Sequence, residues 1–533
     1  MKRILTYTFS SLILALGLSA CNLEETPKDQ IGEEEAFQNS SLVYLNTVAT
    51  LYNEIGGGGG SQGLGGPDRG IYDLNTITSD EAIIPKRGSD WEDGGLWMNL
   101  YQHKWSVDNA IIKGSWDYLY RVIGKVNGSL DKLASLNTEG GENNVIPTYQ
   151  AELRAFRAMF YYYLLDLFGN VPLVVTSEQK ISDVKQSPRS EVFGFVVKEL
   201  TESLPLLNDA NSSKPGRYYG RITKPVAYFL LAKLALNSKV YADDNWADGV
   251  ADGEYTFKIN DTSMDAWTAT IYFCDKITEM GYKLEPNYLQ NFAVKNESSV
   301  ENIFVIPMEP GTYNARNMMM VRSRHYEHGK AFSQDGWNGT SLTKEGLQVF
   351  RKGKEDPRLE LSFFTGKVQG PDGKFVQADG KDLEYKPDAI ALDVSNTPNE
   401  KLAGARWKKY ELDNTAESAG QLVHNDYVLF RYADVLLMRS EALVRQGKSG
   451  DADLNAVRER VGAGTRVANL QNILDERLME LNWEGHRRQD LIRFGQYNKA
   501  ISDRPASDPS RTVFPIPAEV LSLNPKLSQN PGY

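Results

Sequence analysis

The segment ELRAFRAMFYYYLLDLFG, residues 152–169, places large apolar side chains at three- and four-residue steps. Leu153, Phe156, Phe160 and Leu164 therefore fall on one side of a predicted helix, and the final glycine is a natural end for it. A face this broad has to be buried against another layer of structure. The feature predicts a packed helical protein and not an isolated helix.

Other segments carry the same helical period. We predict helices over 36–55, 116–133, 191–204, 225–241, 426–445, 454–461 and 473–483. Small residues such as Ala232 and Ala433 lie within these faces, as close antiparallel helix pairs require. The pattern favours stacked helical hairpins of the tetratricopeptide kind, although the letters contain no clean 34-residue repeat.

The stretch 296–419 has a different texture, with many glycines and prolines and short extended runs such as NIFVIPM. The predicted fold is therefore mostly α: tetratricopeptide-like helical hairpins, overlaid by an irregular loop-rich region with short strands. The helical scaffold covers about 31–295 and 420–495, the loop-rich insertion about 296–419, and an extended C-terminal segment 496–533. No Pro/Ser linker divides the chain, so 21–533 is predicted to be one composite domain.

The first 21 residues, MKRILTYTFSSLILALGLSAC, have the pattern of a bacterial signal. A short basic start precedes an apolar run and small residues, so 1–20 is predicted to be a signal peptide. The letters LSAC resemble the lipobox of bacterial lipoproteins, which implies cleavage before Cys21 and lipidation of that cysteine. The alternative is an ordinary secretory signal with a chance cysteine. No later stretch has 18 uninterrupted apolar residues, so the mature chain is expected to be soluble and tethered.

The charge of the chain argues against nucleic acid as a partner. With 59 basic and 70 acidic residues the formal charge is −11, and no basic run opposes it. Such a surface repels phosphate backbones. The glycine-rich run at 56–66 contains a G-x-G-x-x-G match, but it follows a helix and no Gly-Lys-Ser/Thr follows it, so we predict a loop and no nucleotide cofactor.

Catalytic motifs are weak. The carboxylates of Asp80, Glu81 and 90–93 leave a secreted glycosidase as an alternative, but carboxylates are common on any acidic surface. His325 and His328 are three residues apart without a third ligand at diagnostic spacing, so loop histidines are predicted and no metal site. Cys274 lies at helical spacing with apolar residues, which is typical of a core position.

Four of the nine tryptophans fall within 26 residues, in RGSDWEDGGLWMNLYQHKWSVDNAIIKGSWDYLY. Trp116 shares a helical face with apolar neighbours and is predicted to be core, and Trp105 to pack at the start of that helix. Trp91 and Trp97 lie among glycines and acidic residues, in a predicted loop without a periodic face to bury them.

The densest charge cluster is DERLMELNWEGHRRQDLIRFG, residues 475–495. Opposite charges alternate along it, with Glu484 and Arg488 four residues apart, and leucines supply an apolar face. We predict a structural ion-pair network that joins helices.

The same cluster resembles the signature of the SusD/RagB family of Bacteroidetes outer-membrane lipoproteins. Three further stretches resemble the family in its own order: ELRAFRAMFYYYLLDLFGNVPLV, YVLFRYADVLLMRSEAL and the ending FPIPAEVLSLNPKLSQNPGY. With the lipobox, the resemblance spans Cys21 to Tyr533.

The resemblance implies a lipid-anchored protein on the cell surface, with four tetratricopeptide-like helical pairs under a loop-rich face. It implies a partner, a SusC-like TonB-dependent outer-membrane transporter, and an oligosaccharide ligand that is passed to this transporter without catalysis. In the RagB branch of the family the ligand is a peptide, which remains an alternative here.

Sugar rings present C–H faces that pack on aromatic rings, and their hydroxyls need a few fixed polar partners. By resemblance, aromatic contacts come from the early loop and from the middle region. The implied ligand-binding residues are Trp91, Trp97, Tyr313, Trp337, Asp73, Asn75 and Arg406.

Overall fold

The computed structural model describes residues 40–57, 62–66, 68–136, 145–259, 261–313 and 315–533. The chain divides into two compact units, Met1–Ala49 and Thr50–Tyr533. In the first unit the described residues form a short α-helix, Ser40–Tyr44 (α1), and a π-helical turn, Leu45–Ala49. The predicted signal peptide, Cys21 and the start of the predicted helix 36–55 lie outside the described residues.

The second unit is mostly helical. Its α-helices in the described ranges are α2 (Thr50–Gly56), α3 (Ile71–Thr76), α4 (Leu96–Tyr101), α5 (Ala110–Ser135), α6 (Ile146–Phe168), α7 (Arg189–Ser203), α8 (Lys224–Leu236), α9 (Ser238–Tyr241), α10 (Ala266–Glu279), α11 (Met319–Ser323), α12 (Tyr326–Ala331), α13 (Lys344–Arg351), α14 (Arg358–Ser362), α15 (Tyr432–Arg445), α16 (Asp451–Arg460), α17 (Leu470–Leu481), α18 (Arg487–Arg493) and α19 (Ala518–Leu523).

Local chemistry sets the ends of the long helices. The side chain of Asn109 accepts hydrogen bonds from the backbone N–H groups of Ile111 and Ile112 and so caps the start of α5. Helix α6 ends at Gly169, whose φ of 68° is open to glycine at little steric cost. Asp265 caps α10 in the same way as Asn109 caps α5.

Consecutive long helices pack side by side, α5 on α6, α6 on α7, α8 on α10, α10 on α15, and α15 on both α16 and α17. In α6 the rings of Phe156 and Phe160 stack with centroids 5.1 Å apart, and both are fully buried. Helix α8 adds Phe229, which stacks on Phe430 at 4.3 Å. The predicted mostly α fold of packed helical hairpins is confirmed.

Two buried strands mark where the chain leaves and rejoins the helical layer. Strand β6 (Asn302–Ile306) pairs antiparallel with β14 (Tyr427–Arg431), with Ile306 opposite Tyr427. The predicted helix 426–445 is therefore wrong in its first residues: 427–431 are a strand, and the helix begins at Tyr432. All five strand residues are buried, and a helical period cannot be told from a buried strand in so short a run.

Between these strands the chain is irregular, as predicted for the loop-rich insertion.

The other strands in the described residues are β1 (Ala82–Ile83), β2 (Val171–Pro172), β3 (Gln186–Ser187), β4 (Phe257–Ile259), β5 (Thr262–Met264), β7 (Ser341–Leu342), β8 (Phe363–Phe364), β9 (Gly366–Lys367), β10 (Gln377–Ala378), β11 (Lys381–Asp382), β12 (Glu384–Tyr385) and β13 (Arg406–Trp407). The strands form two-stranded antiparallel pairs.

One of these pairs positions the candidate site. Strand β1 pairs with β7, with Ala82 opposite Leu342 and Ile83 opposite Ser341. The backbone N–H of Lys86 also donates to the carbonyl oxygen of Leu392 at 3.0 Å. The early loop after β1 is thereby fixed against the loop-rich insertion, more than 250 residues further along the chain.

Buried ion pairs join the late helices. The guanidinium of Arg477 in α17 contacts Asp434 in α15 at 2.6 Å and Asp490 in α18 at 2.8 Å. The predicted structural network is confirmed, but not the expected step from Glu484 to Arg488. Arg488 pairs with Asp166 of α6 at 2.8 Å instead, and so connects the C-terminal helices to the first hairpin.

Three further core assignments are confirmed. Trp116 is buried, and its ring meets Phe168 edge to face at 5.0 Å. Trp105 is buried before α5 and donates its indole N–H to the hydroxyl of Tyr533 at 2.7 Å. Cys274 is buried in α10.

In the part of the chain that the structure describes, none of the helices combines the length and the apolar character that crossing a bilayer requires.

Candidate ligand-binding site

Trp91 and Trp337 meet at the surface. The indole Nε1 of Trp91 donates to the backbone carbonyl oxygen of Trp337 at 2.8 Å, and both residues are partly exposed. Trp91 has a φ of 58°, an unusual value for a bulky residue that the surrounding structure has to hold in place. Gly339 makes the close approach possible, since a Cβ there would lie 2.7 Å from the Trp91 ring.

A third aromatic residue completes this surface. Tyr326 is partly exposed, and its hydroxyl donates to the carboxylate of Asp90, the neighbour of Trp91. We call Trp91, Tyr326 and Trp337 the aromatic surface. Sequence reasoning missed Tyr326, because a lone tyrosine at the start of a short helix carries no local pattern, and only the contact with Asp90 reveals it.

Trp97 is not exposed, and the prediction of a loop position for it is wrong. Residues 96–101 form α4, and the Trp97 side chain is fully buried. Its indole N–H donates to Asp93 at 2.7 Å, and the guanidinium groups of Arg69 and Arg322 lie 5.6 and 5.8 Å from its ring. The ring also contacts Trp91 edge to face at 6.0 Å. In this arrangement Trp97 supports Trp91 from within.

Asp73 and Asn75 also lie inside the protein, on α3. Asp73 is fully buried and forms an ion pair with Arg322 at 2.7 Å. Burial raises the pKa of Asp73, against the lowering effect of Arg322. Asn75 is buried with its amide oxygen unpaired in the described structure. The structure does not bring either side chain to the aromatic surface, so neither is placed to contact a ligand there.

Arg406 lies behind the aromatic surface and not on it. The guanidinium is fully buried, and Nη2 donates to the amide oxygen of Asn338, the residue after Trp337, at 2.9 Å. Nη1 donates to the carbonyl oxygen of Ala403 at 2.6 Å. Burial lowers the pKa of Arg406 to about 10. Direct contact with a ligand would need a rearrangement of the Asn338 turn.

Tyr313 lies at a different place, on the wall of a cavity. It is exposed, and it borders a cavity of about 210 Å³ together with Tyr52 and Tyr219. Neither Trp91 nor Trp337 lines this cavity. The expected grouping of all four aromatic candidates is therefore reduced to Trp91 and Trp337 in contact, with Tyr313 apart from them.

The two histidines near the site are structural. Both histidines are buried: His325 lies before α12 and caps it by accepting a hydrogen bond from the N–H of Glu327, as a loop residue can, whereas His328 lies within α12, so the prediction of a loop position is wrong for His328. Burial lowers the pKa of His325 to about 4 and that of His328 to about 3. Within the described ranges, no three or more His, Cys, Asp or Glu residues are grouped so that they could hold a metal ion.

The five carboxylates at residues 80, 81, 90, 92 and 93 have partners. Asp80 forms an ion pair with Arg487 at 2.6 Å, and Glu81 is buried and accepts a hydrogen bond from the N–H of Trp483 at 2.9 Å. Further out, Glu92 pairs with Lys86 at 3.0 Å and Asp93 with Arg69 at 2.8 Å, while Asp90 accepts from Tyr326. The arrangement presents fixed aromatic rings with polar groups at their edges.

Comparison with known proteins gives two family matches. The model of the SusD family matches residues 254–533, and a model described as starch-binding associating with outer membrane matches residues 73–236. Among curated proteins, the starch-binding protein SusD of Bacteroides thetaiotaomicron is 25% identical over 523 residues, covering 89% of this chain and 88% of that protein.

Solved structures with the same fold include a SusD-like carbohydrate-binding protein from Bacteroides fragilis, with a TM-score of 0.71 and 20% identity over 93% of this chain and 100% of the other. Another is surface glycan-binding protein A from Bacteroides thetaiotaomicron in complex with laminarihexaose, with a TM-score of 0.66 and 19% identity over 92% and 99% of the two chains. At these identities the likeness establishes the fold.

Proposed function

Because this chain belongs to the SusD family, we propose that it is a cell-surface glycan-binding lipoprotein that captures oligosaccharides without catalysis and delivers them to a SusC-like TonB-dependent transporter. The starch-binding relative and the structural neighbour solved with laminarihexaose support a glycan as the ligand class.

The observation that carries the proposal is the hydrogen bond from Trp91 to Trp337. It fixes the indole of the partly exposed Trp91 against the backbone of the partly exposed Trp337, across the join between the early loop and the insertion. A rigid ring loses little conformational freedom when it binds, and its face suits the C–H face of a sugar. The carboxylate of Asp90, beside Trp91, is near enough to the rings to meet sugar hydroxyls.

Affinity electrophoresis against a panel of polysaccharides tests the proposal. We expect the protein to be retarded by at least one polysaccharide, and Trp337→Ala to abolish the retardation. Trp267→Ala is the matched control, since Trp267 is also partly exposed but lies on α10 under Arg445, away from the aromatic surface. Equal retardation of all three proteins would remove the aromatic surface from the function.

The absence of catalysis is tested on the same panel by reducing-end release. Asp80, Glu92 and Asp93 are held in ion pairs and Glu81 is buried, which supports binding without turnover, because a catalytic pair needs one protonated carboxyl within reach of the leaving group. Release of reducing ends by the purified protein would favour the glycosidase alternative. Peptide capture, the other alternative, predicts that a peptide mixture and not a polysaccharide raises the Tm.

The family and the sequence before residue 40 support the proposed anchor and the proposed partner. Lipidation of Cys21 predicts that the protein fractionates with the outer membrane and that Cys21→Ser releases it to a soluble fraction. Delivery to a transporter predicts that a tagged form of this chain, extracted in mild detergent, co-purifies with a TonB-dependent barrel. Isolation of the tagged protein without any barrel would contradict the proposed partner.

A further inference from the structure

Three arginines behind the aromatic surface are buried without a carboxylate partner. Arg87, Arg324 and Arg406 are at most 2% exposed, and none forms an ion pair with a described residue. Arg87 donates to the carbonyl oxygens of Glu400 at 2.7 Å and Ala403 at 2.8 Å. Each of the three guanidinium groups has one nitrogen that makes no hydrogen bond in the described structure.

This is unlike the neighbouring Arg322, which is equally buried but is held by Asp73 at 2.7 Å and Asp68 at 3.0 Å. A buried cation is costly unless an anion compensates it. Arg87 and Arg406 moreover lie near each other, since both donate to the hydroxyl of Ser341 and to the carbonyl oxygen of Ala403. Burial and then Arg406 lower the pKa of Arg87.

Two observations place Arg406 and Arg87 close to the aromatic surface. Arg406 contacts Asn338, which follows Trp337, and burial together with Arg406, Lys401 and Arg87 lowers the pKa of His325, which precedes Tyr326. Lys401 belongs to the same group, because its carbonyl oxygen accepts from Arg406 at 3.4 Å. The Lys401 side chain is exposed and forms no ion pair with a described residue.

The carboxylates in this area do not balance the cluster. Glu92 and Asp93 are paired with Lys86 and Arg69. Asp90 and Asp379 are exposed, and Glu400, whose carboxylate accepts from the N–H of Asn396 at 2.7 Å, is partly exposed, so water and salt screen these carboxylates more than they screen a buried guanidinium. No described carboxylate lies within ion-pair distance of the guanidinium groups of Arg87, Arg324 and Arg406, although the whole chain carries a charge of −11.

We propose that the glycan bound on the aromatic surface carries a carboxylate or a sulfate group, and that this group lies over the Trp337–Asn338 turn, beside the ammonium of Lys401 and above Arg87 and Arg406. The inference rests on the proposed function, since it names the class of glycan that the same site takes. The buried arginines act through their charge, and Lys401 is the residue able to touch the anion.

Isothermal titration against four purified ligands tests this: laminarin as a neutral glucan, polygalacturonate as a carboxylated glycan, and a carrageenan oligosaccharide in its sulfated and its desulfated form. We expect an anionic ligand to bind at least tenfold more tightly than laminarin at 50 mM NaCl, and to lose most of this advantage at 500 mM. Preference for polygalacturonate assigns the carboxylate, and preference for sulfated over desulfated carrageenan assigns the sulfate.

Lys401→Gln is the decisive variant, because an exposed lysine is replaced without loss of a buried contact. We expect it to weaken anionic ligands about fivefold and to leave laminarin unchanged. Lys258→Gln is the control, an exposed lysine on β4 with the same change of net charge, and should change neither.

Two results overturn the inference and separate it from the proposed function. If laminarin binds as tightly as the anionic ligands, with no dependence on salt or on Lys401, while Trp337→Ala still abolishes binding, the glycan site stands and the anionic class is wrong. If no glycan binds but a peptide mixture does, the proposed function and the inference are both wrong.

Discussion

The indole N–H of Trp91 donates to the backbone carbonyl oxygen of Trp337 over 2.8 Å, across a separation of 246 residues in the chain. The hydroxyl of Tyr326 donates to the carboxylate of Asp90, the residue before Trp91, so Tyr326 lies beside this contact. The β1–β7 pair brings these segments together, so the rings of Trp91 and Tyr326 are held in position by the fold before any ligand arrives. Pre-formed rings of this kind favour affinity because little order has to be created on binding.

This relationship predicts different effects for two substitutions of Trp91. Trp91→Phe keeps an aromatic face but loses the hydrogen bond to Trp337, so we expect glycan affinity to fall about threefold. Trp91→Ala removes the face as well, and we expect a loss of about tenfold or more, equivalent to about 1.4 kcal/mol or more in binding free energy. Titration calorimetry with the best glycan of the panel measures both. A smaller effect of Trp91→Ala than of Trp91→Phe would contradict the role of the ring.

The helical layer could be predicted from sequence because its signal is local. The apolar period that predicts the burial of Phe156 and Phe160 can be recognised within about one turn of helix, and Gly169, which ends this helix, directly follows its last residue. The strand at 427–431 could not be separated from the helix after it, since burial on all sides removes the alternation that identifies a strand.

The site was predictable only in part, because contacts between distant parts of the chain decide which of its side chains are exposed. Trp91 and Trp337 could be proposed as surface aromatics, but the fate of Trp97 depends on Arg322, which is 225 residues away in sequence and lies against its ring. The burial of Arg406 likewise depends on Asn338 and Ser341. Contacts at such separations leave no periodic trace in the chain.

Trp116 provides a test of the core. Its side chain is buried in α5 against Phe168 of α6, and Trp116→Ala would leave a cavity between the first pair of helices. We expect a loss of about 3 to 5 kcal/mol in the free energy of unfolding, measured by urea denaturation. Trp267→Ala, at a partly exposed position, should lose clearly less. Equal losses would mean that the pair α5–α6 is not a tightly packed core.

Glu480 tests the buried ion-pair network. Its carboxylate is fully buried and accepts from Arg358 at 2.9 Å, from Arg431 at 2.5 Å and from Arg460. Glu480→Gln keeps the shape but removes the one carboxylate that all three guanidinium groups share, in addition to their pairs with Asp356, Glu301 and Glu484. We expect a loss of about 3 to 5 kcal/mol in the free energy of unfolding.

The control for this variant is Asp117→Asn, which removes the same charge from a surface pair with Lys113. Exposed pairs contribute little, so its effect should stay below about 1 kcal/mol. If Glu480→Gln unfolds during purification, the Tm in cell lysate gives the same ranking. A Glu480→Gln protein as stable as Asp117→Asn would show that the network does not stabilise the fold.

Glu81 predicts a pH dependence of stability. Burial raises the pKa of this carboxyl to about 8, in spite of the hydrogen bond from the N–H of Trp483 and the nearby charge of Arg487. Between the ordinary pKa of 4.5 and about 8, the folded protein holds a proton that the unfolded chain has released. The stabilising contribution of protonated Glu81 is therefore fully present below pH 4.5 and is lost as the pH rises through this window.

Glu81→Gln mimics the protonated form and should remove this dependence. The free energy of unfolding of the wild type should fall relative to the variant by roughly 1.4 kcal/mol for each pH unit within the window. Urea denaturation of both proteins at pH 5, 6.5 and 8 measures the difference directly. Buried histidines such as His328, whose pKa burial lowers to about 3, destabilise both proteins alike on the acid side and cancel in this difference. A constant difference across the three pH values would mean that Glu81 is ionised in the folded protein.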